Sequence, residues 1–162
     1  MNGAENVTNE AFARAIEAMI QTLYRVSCTQ LRSAADREDA VQEALRRAWE
    51  KRYTLRDERY LQTWVVRILL NECDRIRRRS RRAIPSAEVP AVQHGQGDGA
   101  LKQAVLDLEE GLRLPILLHY IEGYSVAEVA RMLRLPQGTV KSRLSRGRER
   151  LRIMLKEEVF ES

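Results

Sequence analysis

The chain has 162 residues, 44% apolar and 31% charged, which fits one soluble helical domain or two small ones and excludes a disordered or membrane-embedded chain. Lys and Arg number 28 against 23 Asp and Glu, a net charge of +5 with a pI near 9.6, which favours a polyanionic partner. No apolar run approaches the roughly 20 residues of a membrane span, and the N-terminus, acidic at Glu5 and Glu10, lacks the charged-then-apolar order of a signal peptide, so a cytoplasmic protein is expected.

Cys28 and Cys73 have no CxxC partner, and His94 and His119 stand far apart. The four closely spaced ligands of a zinc site are missing, so no metal is expected and both thiols read as half-buried core residues. His119, inside an apolar run, reads as a helix-surface residue. With no glycine-rich phosphate loop and no nucleophile motif, neither a cofactor nor catalytic chemistry is expected.

From about Thr8 to Arg32, Phe12, Ile16, Met19, Ile20, Leu23 and Leu31 recur at three- and four-residue steps, predicting a long amphipathic helix. Ser33 to Asp36 breaks the pattern. Asp36 is predicted to cap a second helix, whose acidic first turn, Glu38 and Asp39, complements the helix dipole. Val41, Ala44, Leu45, Ala48 and Trp49 then form a stripe facing a core, which leaves Asp39, Gln42, Glu43, Arg46, Arg47 and Glu50 on the remaining face. A mixed charged face of this kind is ordinarily just solvated.

Lys51 to Arg59 is polar, with Tyr53 and Leu55 its only apolar residues, and its length suits a functional loop as well as a plain connector. A third helix is predicted from about Tyr60 towards Arg82, with Leu61, Trp64, Val65, Ile68, Leu69 and Ile76 on its core side. Its other side carries Arg67, Asn71, Asp74, Arg75 and Arg78, and it ends in Arg77, Arg79, Arg81 and Arg82, which also complement the dipole. From Ala83 to Ala100, Pro85, Pro90, Gly95, Gly97 and Gly99 replace regular periodicity, predicting a flexible linker. Fully extended, it reaches at most about 60 Å.

Helical spacing resumes with Leu101, Val105, Leu106 and Leu108, and a further helix is predicted from about Leu112 to Ile121 with Pro115 in its first turn, where proline is tolerated. Gly123 ends it. Ser125 and Glu128 form a capping-box pattern ahead of Val126, Val129, Ala130 and Leu133. Leu135 and Pro136 interrupt, and a second helix starts near Pro136 with Val140, Leu144, Leu151 and Leu155 as its apolar stripe. Lys141, Arg143, Arg146, Arg148, Arg150 and Arg152 make that helix strongly basic, with Thr139, Ser142 and Ser145 interleaved. Two short helices, a tight turn and a basic second helix describe a helix-turn-helix whose second helix enters a major groove.

GYSVAEVARMLRLPQGTVKSRLSRGRERL resembles the C-terminal DNA-binding region of bacterial extracytoplasmic-function (ECF) sigma factors, where G-T-V-K-S-R-L recurs. DREDAVQEALRRAW is similar to the segment of that family that docks on the clamp helices of the RNA polymerase largest subunit. WVVRILLNECDRIRRR resembles its promoter-melting and −10-reading helix, with the family's Asn and Asp-x-x-Arg at Asn71 and at Asp74 to Arg77. The resemblance covers nearly all of residues 8–155, in order and with the expected gap.

An all-α protein of two small helical domains is therefore expected: residues 1–82 binding polymerase and the −10 element, a linker over 83–100, and residues 101–162 as a helix-turn-helix for the −35 element. By position in the family's motifs, the resemblance implies polymerase contacts at Asp39, Gln42, Glu43, Arg46 and Arg47. It implies −10 contacts at Asn71, Asp74, Arg75 and Arg78 and in the loop with Tyr53, Leu55 and Arg56, where the family captures an unstacked base. For the −35 element it implies Lys141, Ser142, Ser145 and Arg146 at bases and Thr139 and Arg143 on phosphates. Core RNA polymerase and promoter DNA are the implied partners, with an anti-sigma factor by family analogy and a monomer when free.

Two other readings compete. A stand-alone operator-binding helix-turn-helix regulator needs a dimer, for which no spare heptad or sensory domain is visible. An adaptor would use the N-terminal helices for a protein partner and leave the basic helices incidental. The second-helix face around Gln42 and Glu43 discriminates, since an operator-binding repressor has no use for it.

Overall fold

A computed structural model describes residues 8–82 and 99–160, with side chains up to residue 156. Among these residues the structure is helical, without a strand, and they fall into two compact units, one containing 8–82 and the other 99–160. The predicted 83–98 part of the linker lies outside the described residues.

The first unit is a three-helix bundle of α1 (Asn9–Gln30), α2 (Ala34–Glu50) and α3 (Leu61–Arg82), each packed on the other two. Thr8 caps α1 through its side chain, which accepts from the Ala11 N–H at 3.2 Å. The cap of α2 is Ser33, not Asp36: Ser33 Oγ accepts from the Asp36 N–H at 3.3 Å, and Asp36 lies inside the first turn, where its charge still suits the dipole.

Phe12, Met19, Leu23 and Val26 of α1 meet Val41 of α2 and Val65, Val66, Leu69 and Cys73 of α3 in a closed core. Ala40, Ala44 and Ala48, at four-residue spacing on α2, are wholly buried, and their small side chains let α2 lie close to its neighbours. Burial pushes the Cys73 thiol up to about 12, so it packs as an inert apolar group, while Cys28 is half-buried under the Arg37 guanidinium. Trp64 is half-buried with its ring edge-on to Phe12 at 6.4 Å. Trp49 departs from the predicted core stripe: it touches Phe12 at 6.0 Å but is 43% exposed, with the Arg52 guanidinium 4.0 Å from its ring centre.

The second unit comprises α4 (Gly99–Asp107), α5 (Glu110–Ile116) running into one π-helical turn at Leu117–Ile121, α6 (Val126–Leu133) and α7 (Gln137–Phe160). Helix α4 begins at Gly99, inside the predicted linker. The core gathers Val105, Leu108, Leu112, Ile116, Leu118, Val129, Met132, Val140 and Leu144, with α7 packed on α4, α5 and α6.

Pro115 is not in a first turn. It is the sixth residue of α5, and the turn that follows it widens to longer bonds, Glu122 N–H to Leu117 O and Tyr124 N–H to Leu118 O, both 3.0 Å. His119 pins that turn: its Nδ1 lies 2.7 Å from the Tyr124 carbonyl, which can only accept, so Nδ1 carries the proton. Ser125 and Glu128 form the complete capping box, with bonds of 3.1 and 2.7 Å.

Between α6 and α7 the chain turns through Arg134 in the left-handed region, φ 54° and ψ 45°, where a Cβ is strained. Arg134→Gly is expected to raise the unfolding midpoint of the second unit, a gain of about 0.5–1 kcal/mol after the glycine's greater unfolded-state freedom is counted. Thermal unfolding of the two proteins side by side measures it.

Candidate functional site

On α2, Asp39, Gln42, Glu43 and Arg46 fall at i, i+3, i+4 and i+7 and form one continuous polar stripe; all but half-buried Glu43 are exposed. Within it Arg46 reaches both Glu43, at 2.6 and 2.9 Å, and Glu50. Two arginines beside Glu43, Arg46 and Arg47, hold its carboxyl down to about 2, so the stripe keeps its charge at any physiological pH. Arg47, half-buried, is engaged by Glu43 at 2.9 Å and by Glu72 of α3 at 2.8 Å.

On α3, Asn71, Asp74, Arg75 and Arg78 occupy the same i, i+3, i+4, i+7 spacing and are all exposed. Arg75 is held by Glu72 at 2.8 and 2.9 Å. The side chains of Asn71 and Arg78 make no hydrogen bond or ion pair among the described residues. Arg77 links this stripe to α1: its guanidinium lies 3.8 Å from the Asp74 carboxylate and donates to Gln30 at 3.3 Å. A groove between α2 and α3 is lined by Asp39, Gln42, Glu43, Arg46, Arg75 and Arg79, so it brings four of the α2 candidates beside one from α3.

The connection between α2 and α3 holds two short 3-10 turns, Arg52–Thr54 and Glu58–Tyr60. Tyr53 is 75% exposed, Leu55 is half-buried, and Arg56 is exposed with no polar partner among the described residues. Arg59 is paired with Asp57 at 2.7 Å.

In the second unit, α7 presents Lys141, Ser142, Ser145 and Arg146 to solvent, with Thr139 and Arg143 half-buried at its flank. The cations sort into two sets. Arg143 donates to the Gly111 carbonyl at 3.4 Å, Arg148 to the Tyr120 hydroxyl at 2.9 Å, Arg150 to Glu109 at 3.1 Å, and Arg152 pairs with Glu149 at 3.2 Å. Lys141 and Arg146 have no such partner among the described residues and lie in the N-terminal part of the helix, where recognition helices touch base edges.

Two family descriptions match the chain: "Sigma-70 region 2" over residues 15–82 and "Sigma-70, region 4" over residues 98–151. The ECF RNA polymerase sigma factor SigW of Bacillus subtilis is 31% identical, with 91% of this chain and 90% of SigW aligned. The chain belongs to the ECF RNA polymerase sigma factors. SigM of Mycobacterium tuberculosis is 32% identical over 90% of the chain and 77% of its own length, and the Escherichia coli sigma-E factor 30% identical over 72% of each.

Among solved structures, the sigma factor RpoE of Bartonella quintana, crystallised with the anti-sigma factor NepR, superposes with a TM-score of 0.75 at 29% identity, covering 91% of this chain and 98% of that one. CnrH in complex with the cytosolic domain of CnrY, at 22% identity and a TM-score of 0.67, shares the fold. As a sigma factor the chain binds core RNA polymerase, recognises −10 and −35 promoter elements and promotes DNA opening. The region 2 match runs through α2 and α3 and gives the stand-alone operator-binding reading no support.

Sequence reasoning missed Glu72. It is 2% exposed, yet it meets Arg47 and Arg75, one from each candidate stripe. Its signal was a carboxylate beside core Cys73, at a position that faces inward by helical period. Trp49 with Arg52 was missed too, since periodicity assigned that ring to the core.

Proposed function

We propose that this sigma factor holds core RNA polymerase through Asp39, Gln42, Glu43 and Arg46, with Arg47 bracing the face from below, and that residues 1–82 carry this role together with −10 recognition. The −10 element is read by Asn71, Asp74, Arg75 and Arg78 and by the loop bearing Tyr53, Leu55 and Arg56, whose most exposed ring, Tyr53, is free to stack on an unpaired base. Residues 101–162 take the −35 element, with Lys141, Ser142, Ser145 and Arg146 towards bases and Thr139 towards phosphate. The observation that carries the −35 assignment is the sorting of α7: of its six cations from Lys141 to Arg152, the two without an intramolecular partner among the described residues are the two placed at bases.

An anti-sigma factor restrains the protein, as supported by the similarity to RpoE, which was crystallised with the anti-sigma factor NepR. The protein works in the cytoplasm, as a monomer when free and without catalytic chemistry of its own; among the described residues no helix is long and apolar enough to cross a membrane.

Run-off transcription with purified protein and core RNA polymerase, mapped across a genome, tests the polymerase face. The chain is expected to produce new start sites sharing two upstream elements, and a Gln42→Ala, Glu43→Ala variant is expected to lose them. Because Glu43 also holds Arg46 and Arg47, Gln42→Ala alone is measured beside it and is expected to weaken polymerase binding by about tenfold. Start sites unaffected by both variants would remove the polymerase from this face.

A further inference from the structure

One flank of α7 faces α5 through Arg143, Gly147 and Arg150, which meet Gly111, Ile116 and Glu109. Arg143 and Gly147 are one helical turn apart on α7, as Gly111 and Pro115 are on α5. In an α-helix the carbonyl of Gly111 accepts from the N–H of residue 115. Pro115 has no N–H, so that acceptor loses its backbone partner. The Arg143 guanidinium fills the place, with Nη1 3.4 Å from Gly111 O, and it lies over the bare face of Gly111: a Cβ built there would stand 3.8 Å from Nη1 and 4.0 Å from Cζ.

We infer that Arg143 is a positioning residue, tying the recognition helix to the carbonyl that Pro115 leaves open, and not one of the groups that bind DNA phosphate. The inference rests on the reading of α7 as the −35 helix only for its functional consequence. The tie itself is a property of α5 and α7. Charge pattern alone groups Arg143 with Lys141 and Arg146; the structure separates it, because its Nη1 donates to a protein backbone carbonyl. Arg150 on Glu109 and the close approach at Gly147 continue the same seam, so α7 is registered against α5 at three levels.

The test compares Arg143→Ala in two backgrounds, the natural chain and Pro115→Ala. The alanine at 115 returns an N–H to Gly111 and makes the arginine dispensable. Comparison within each background cancels the effect of the cavity left by the buried proline.

Two readouts are taken on the full chain. Peptide-level amide hydrogen exchange follows α5 and α7 in the free protein and needs no promoter. Promoter affinity is measured on holoenzyme, with a duplex taken from the mapped start sites, as a function of salt. In the natural background Arg143→Ala is expected to speed exchange in both helices several-fold and to weaken promoter binding about tenfold, with the slope of log K against log salt unchanged. In the Pro115→Ala background both effects are expected to shrink at least threefold.

A lost phosphate contact would instead lower the slope by about 0.9 and cost the same in both backgrounds. Either of those results, or exchange that ignores Arg143 in the natural background, overturns the inference. Failure to find any promoter would sink the reading of α7 as a −35 helix and leave the exchange arm to decide the tie.

Discussion

Glu72→Ala is expected to destabilise the first unit by about 2 kcal/mol and to cut promoter-dependent transcription about tenfold. The carboxylate is 2% exposed and accepts charge-assisted bonds from Arg47 at 2.8 Å and from Arg75 at 2.8 and 2.9 Å. Hydrogen bonds to charged groups each contribute about 1.5–3 kcal/mol where they are shielded from water. Here the arginine side chains are 38% and 49% exposed, so both recover solvation when the carboxylate goes, and the loss stays below the 3–5 kcal/mol typical of a fully buried pair.

The functional loss has a separate origin. Glu72 sets the reach of Arg47, under the α2 stripe, and of Arg75, on the α3 stripe, so its removal loosens a residue of each face at once. Glu72→Leu separates the two effects. Leucine fills the space that the carboxylate leaves, and the two arginines, 38% and 49% exposed, can turn to water instead of staying buried and unpaired, so this variant is expected to lose only about 1 kcal/mol in thermal unfolding. Its transcription should nevertheless fall about as far as that of the alanine variant, the low end of what a single base or phosphate contact contributes. A stable and fully active Glu72→Leu protein would show that neither arginine needs its anchor.

The bundle itself is legible in the sequence because its helices are long and strongly periodic. Phe12, Met19 and Leu23 on α1 and Leu61, Val65 and Leu69 on α3 are buried as their spacing requires. Periodicity places a residue on a face but does not say how wide the buried face is, which is why Trp49, at the edge of the α2 stripe, is 43% exposed and covered by Arg52 instead of by the core. It also treats every charge on a polar face as solvated. Glu72 falls at core spacing, three residues after Leu69 and four before Ile76, but the partners that let a carboxylate be buried there include Arg47 of α2, which depends on α2 lying beside α3 and has no local signature.

Capping chemistry was readable at Ser125, where both partners are three residues apart, but ambiguous over Ser33 to Asp36, where two capping residues compete. The α5 region was the least legible. A start at about Leu112 put Pro115 in a first turn, where proline is tolerated. The helix begins two residues earlier, at Glu110, which moves the proline past the first turn, and it absorbs the proline by widening into a π-helical turn and by taking a donor from α7. That donor is 28 residues away in the chain, beyond the reach of any local pattern. Among the α7 cations, likewise, composition gives Lys141, Arg143 and Arg146 the same standing, and only the fold ties Arg143 to a backbone carbonyl while Lys141 and Arg146 have no partner among the described residues.

Gly147→Ala tests how closely α7 must lie on α5. In an isolated helix this change is favourable by about 1 kcal/mol, since glycine is the weaker helix former. In this protein a Cβ at residue 147 would stand 2.6 Å from Cγ1 and 2.7 Å from Cδ1 of Ile116, which is itself 2% exposed and has little room to retreat. Overpacking of this kind costs about 1–3 kcal/mol, so the net result is expected to be a loss of about 1–2 kcal/mol from the second unit. Because the residues proposed for the −35 element ride on the same helix, the displacement should also weaken −35-dependent promoter binding, while binding of core polymerase through the proposed face of α2 is expected to stay intact. Ile116→Val removes Cδ1, and in the Gly147→Ala background it is expected to restore part of the lost stability, although alone it costs about 1 kcal/mol. Thermal unfolding of the four proteins closes the cycle. A stabilising Gly147→Ala change with no coupling to Ile116 would mean that the helices are not held at this distance.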